Sequence, residues 1–101
     1  MTSIEQTLVD CLHNPMACGG PSVINEAWNE GASKINQQAL AKILAGVAPV
    51  LRRRTATMME RMGIPLSSQI AMLLDVDPEP VVPLLPGFAS GTTRSSWGVL
   101  V

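Results

Sequence analysis

Charge is scarce in this chain. Only 15% of its 101 residues are charged, against 47% hydrophobic, where a solvated domain carries about 25% charged. Either the core is large for the chain length or a partner covers apolar surface. Self-association or a stable complex is the favoured expectation, and a plain monomer the second. Seven basic and eight acidic residues leave a net charge of −1, so no overall field attracts nucleic acid. The apolar runs fall far short of the roughly twenty residues that a bilayer span needs. The start, Thr2-Ser3-Ile4-Glu5, lacks the basic region and apolar stretch of a signal peptide. The expectation is a cytoplasmic protein off the membrane, with Cys11 and Cys18 as free thiols. Phosphate-binding glycine loops and nucleophile elbows are also missing. With so few polar side chains, the chain is expected to be neither an enzyme nor the holder of a cofactor.

What is there is helical periodicity, and a chain of this length supports one domain with a marginal core. Ser3 with Gln6 has capping-box spacing, and Ile4, Leu8, Cys11 and Leu12 fall on one helical face up to His13. Asn14-Pro15 ends that segment, and Cys18-Gly19-Gly20 reads as a turn. Pro21 opens a short second helix to about Asn29, with Val23, Ile24, Ala27 and Trp28 inward and Gly31 as its stop. A third begins with Ser33 as N-cap. Its stripe is Ile35, Ala39, Leu40, Ile43 and Leu44, with Asn36, Gln37, Ala41 and Lys42 opposite. A fourth runs from Pro49 to Gly63, with Leu51, Thr55, Met58, Met59 and Met62 along one side. A fifth starts near Pro65 or Leu66 and carries Leu66, Ile70, Leu73 and Leu74. The predicted core is Trp28, Ile35, Leu40, Ile43, Leu44, Leu51, Met58, Leu73 and Leu74. The fold class expected is all-α, a small bundle of four to five short helices over residues 1–76.

Residues 77–101 read as an extended, partly flexible tail. Pro78, Pro80, Pro83 and Pro86 exclude a regular helix, and the spacing from Pro80 to Pro86 has the period of polyproline II. Trp97 to Val101 is apolar where chain ends are normally polar. It therefore wants a surface, either on another chain or on the protein's own helices.

Three clusters could carry chemistry. Cys11, His13 and Cys18 suit zinc in kind, but they are only three ligands and no metal is assigned. A thiol switch is a further reading of the two cysteines, and a small core residue the plainest for Cys11. Asp75, Asp77 and Glu79 lack the glycine and ligand spacing of a calcium loop and read as an acidic helix-ending turn. Arg52, Arg53 and Arg54 form the one basic run. They sit at a helix start, where the dipole disfavours positive charge, so local stability does not explain them. A helix-turn-helix use on nucleic acid is an alternative, but three consecutive arginines cannot all face one groove.

Function is expected to be that of a non-catalytic protein-interaction or assembly subunit, self-associating through Met58, Met59, Met62, Trp97, Val99 and Val101. A small nucleic-acid-binding regulator using Arg52 to Arg54 is one alternative. A precursor or accessory peptide, with a helical leader and a separable tail, is the other.

Overall fold

The structure, a computed structural model, describes residues 3–74, 81–85, 95 and 97–100. Its order is α1 (Ile4–His13), a short 3-10 helix (Pro15–Cys18), α2 (Pro21–Gly31), α3 (Gln37–Ala45), α4 (Pro49–Arg61) and α5 (Ser68–Leu73). Two short strands follow, β1 (Val82–Pro83) and β2 (Val99–Leu100). The protein is a small all-α bundle in class, with a two-residue parallel β pair as its only described sheet.

Helix starts follow capping chemistry. The Ser3 hydroxyl accepts the Gln6 N–H at 3.2 Å, which supplies one of the first-turn donors with an acceptor. The start of α3 differs from the expected one. Asn36, not Ser33, is the N-cap, its Oδ1 accepting the N–H groups of Gln38 at 2.9 Å and Ala39 at 3.1 Å. Ser67 likewise caps α5 through the Ile70 N–H, so that helix begins later than Pro65 or Leu66. The chain around Cys18 is a turn only from Gly19 onward, because Pro15–Cys18 is already helical.

Helix α4 ends in a Schellman motif: the Ile64 N–H donates to Met59 O at 2.9 Å and the Gly63 N–H to Glu60 O at 3.1 Å. This reversal requires the left-handed φ of 71° at Gly63, which costs a glycine nothing sterically. Gly31 plays another part than that of a stop. It is the last residue of α2 and is buried, and a Cβ there would lie 3.0 Å from Leu8 Cδ1 and 3.3 Å from Ile4 Cδ1. Its missing side chain lets α1 and α2 approach.

Helix α1 packs against α2, α3 and α4, and α3 lies along α5. Trp28, Leu40, Leu44, Leu51, Met58 and Leu74 are buried as expected, while Ile35, Ile43 and Leu73 are only partly covered. Two face assignments are corrected. Ala41, expected outward, is buried, and Val23, expected inward, is 50% exposed. The core also takes Val9, Leu12, Ile24, Met59 and Ile70, and from the C-terminal part Leu84 and Val99. No helix among the described residues is long and apolar enough to cross a membrane.

Candidate interaction surface

Arg52, Arg53 and Arg54, the three consecutive arginines of α4, reach different parts of the chain, each donating to backbone carbonyl oxygen. Arg52 donates from Nε to Leu44 O at 2.7 Å and from Nη2 to Ala45 O at 3.1 Å. Those carbonyls lie at the C-terminal end of α3, where orphan acceptors and the dipole both favour a cation. The positive charge that suits α4 poorly therefore suits α3 well. Arg53, only 2% exposed, donates from Nε to Trp97 O at 2.7 Å and from Nη2 to Gly98 O at 2.9 Å. Arg54 donates from Nε to Pro83 O at 2.8 Å. Burial first, and then the neighbouring Arg53 charge, lower the Arg54 pKa from its ordinary value. The basic run presents no common outward face for a nucleic-acid groove.

Arg53 and Arg54 thus hold one strand each. The strands pair in parallel, Val82 opposite Val99 and Pro83 opposite Leu100, through Val82 N–H to Gly98 O at 3.1 Å and Leu84 N–H to Leu100 O at 3.2 Å. Pro83 lies between these two donors, so its missing N–H falls on the side away from β2 and costs no ladder bond. A turn centred on Ser95 completes the anchorage. The Ser95 hydroxyl accepts the N–H groups of Trp97 and Val99, both at 3.2 Å. It lies 3.0 Å from Thr57 Oγ1, which itself donates to Arg53 O. The proton order that satisfies all of these has Ser95 donating to Thr57.

This arrangement decides where the expected interaction residues go. Val99 is buried in the chain's own core, and Trp97 is half-buried against it, with no hydrogen-bond partner for its indole N–H among the described residues. Met58 and Met59 are fully buried and Met62 partly so. A partner could not reach Met58, Met59 or Val99 without opening the fold. The described tail residues pack on the helices. Val101, Pro80, Pro86 and the acidic Asp75, Asp77 and Glu79 lie outside the described residues.

The apolar surface lies elsewhere. Between α3 and α5 runs an open groove of about 410 Å³, with Ala41, Lys42, Ala45, Gln69 and Leu73 among its lining residues. Met72, 79% exposed, is also part of its lining. The start of α5 is fixed by Gln37 of α3, whose Nε2 donates to Pro65 O at 2.7 Å and whose Oε1 accepts the Ser67 N–H at 3.3 Å. Sequence reasoning missed this face, although it contained one signal: Met72 is a large apolar residue off the stripe formed by Ile70, Leu73 and Leu74.

The cysteine cluster splits. Cys11 is buried and Cys18 half-buried, both as free thiols, while His13 is exposed on the last turn of α1. No group of three or more histidine, cysteine or acidic side chains among the described residues is placed to hold a metal ion. No protein-family model, curated protein or solved structure matches this chain.

Proposed function

We propose that the protein is a non-catalytic interaction subunit that associates with a second copy of itself across the α3–α5 face. The observation that carries this reading is an exposed apolar side chain in an open groove: Met72, 79% exposed, is one of the residues that line the space between α3 and α5. A two-fold axis through such a face places the Met72 of each copy in the groove of the other, which is the self-complementarity a two-fold interface requires. The flexible thioether of methionine suits an irregular groove. Three of the four polar or charged side chains buried among the described residues support a non-catalytic role: Arg53, Thr55 and Thr57 bond backbone carbonyls, which spends them on the fold, and Glu5 is the fourth.

Light scattering tests the reading at high micromolar concentration. The full chain is expected at the mass of a dimer, and Met72→Asp at the mass of a monomer with unchanged helix content. A wild-type chain that stays monomeric at every concentration removes self-association. A Met72→Asp chain that still dimerises moves the interface off this face.

A further inference from the structure

A cleft of about 490 Å³ lies between α2 and the end of α4, lined by Asn25, Glu26, Asn29, Arg61 and Met62. Its size falls in the span of small-molecule sites, about 300–1,000 Å³. Asn25 and Asn29 are one helical turn apart on α2 with Glu26 beside them, while Arg61 is the last residue of α4 and Met62 its C-cap. All of these lining residues but Met62 are polar, and their side chains are not used by the described fold. The Asn25 Oδ1 is enclosed and has no hydrogen-bond partner among the described residues. Burying an acceptor unpaired costs stability, so this atom marks a place where a donor belongs. No side-chain hydrogen bond or ion pair ties Glu26, Asn29 or Arg61 to another described residue. Arg61 suits the helix end by its charge, but its donors reach no described carbonyl, unlike those of Arg52 and Arg54.

We infer that this cleft binds a free α-amino acid with an apolar side chain. The walls carry one guanidinium and one carboxylate, so their charges cancel. A simple anion would face Glu26 and a simple cation would face Arg61, whereas a zwitterion meets each with the opposite charge. Arg61 takes the α-carboxylate through parallel N–H bonds. The ammonium group donates to the Glu26 carboxylate and to Asn25 Oδ1, which gives that acceptor its missing donor. The Asn29 amide both donates and accepts, so it serves either end of the ligand. Met62, half-buried and the one apolar lining residue, receives the side chain against its polarisable thioether. This inference is independent of the α3–α5 face and of self-association.

The test is an NMR titration of the full chain with L-leucine, followed at backbone and side-chain N–H groups. Two relatives of the probe each lack one charge: L-leucinamide has no carboxylate and isocaproate no ammonium. Leucine is expected to shift the Asn25 and Asn29 side-chain amides and the Arg61 Nε–H saturably, and each relative to bind at least about tenfold more weakly. Glu26→Gln and Arg61→Gln, both at exposed positions, are expected to lose about tenfold or more in leucine affinity with unchanged helix content. Glu26→Gln is also expected to bind isocaproate no less tightly than wild type, because the charge it removes repels that anion. Wild-type protein whose cleft residues do not shift at millimolar leucine overturns the inference. Equal binding of all three compounds, or unchanged leucine affinity in Arg61→Gln, overturns it as well.

Discussion

Helices α4 and α5 invert the usual link between polarity and burial. Helix α4 carries four arginines and a glutamate in Pro49–Arg61, yet residues 55–59 are buried without a break. Helix α5, with Ile70, Ala71, Met72 and Leu73 in its six residues, buries only Ile70. The difference lies in what surrounds each helix. The arginine stems of α4 can lie along apolar neighbours while the guanidinium groups reach carbonyls at the end of α3, on β1 and just before β2. Helix α5 has α3 as its main packing partner among the described residues. A charged side chain is tolerated inside when its donors are used, and an apolar one stays outside when no surface comes to meet it.

The comparison can be broken most severely by removing the tail. A chain ending at Ser90 loses Val99 from the core and the Trp97 and Gly98 carbonyls to which Arg53 donates. Circular dichroism is expected to show loss of helix content. Retained content and unchanged stability would make the tail dispensable to the fold. Arg53→Ala attacks the same contact from the helix side. It leaves the Trp97 carbonyl without its guanidinium donor and is expected to cost about 3–5 kcal/mol in urea unfolding. A loss under about 1 kcal/mol would mean that water replaces the guanidinium freely.

A matched pair of methionines sharpens the contrast between the helices. Met59→Ala empties a fully buried site on α4 and is expected to cost about 2–5 kcal/mol. Met72→Ala on α5, measured at concentrations too low for association, is expected within about 0.5 kcal/mol of wild type. Equal costs would mean that the two methionines are buried alike. The smallest effect beyond that control belongs to Arg52→Ala, which removes two partly exposed bonds to the end of α3. About 1 kcal/mol is expected, and an Arg52→Lys chain should recover part of it through charge at the helix end. No recovery would show that the fork geometry matters rather than the charge.

Much of the helical plan was legible because it is local. Pro21 and Pro49 open their helices, Ser3 caps α1, and the stripe of Leu40 and Leu44 is the buried side of α3. Asn36 prevailed over Ser33 as a cap, and nothing in the order of those residues ranks two good capping side chains. The site was far less legible. The arginine run was conspicuous, but its meaning depended on carbonyls 44 and 45 residues away in sequence. The methionines of α4 read as a soft outer patch because a helical stripe reports only that one side is apolar. It does not report that neighbours enclose the other sides too.

By itself the sequence determined a mainly helical chain whose segments begin and end at prolines, glycines and capping residues. Capping bonds and proline geometry span only a few residues, so that information is complete within each segment. Tertiary structure alone decided that the tail returns to α4, that Arg52, Arg53 and Arg54 serve the fold, and that Met16 and Met72 stand in water while Met58 and Met59 do not. Those outcomes depend on which distant surfaces meet. A carbonyl at Trp97 or Gly98 becomes the partner of Arg53 only when β2 lies across α4.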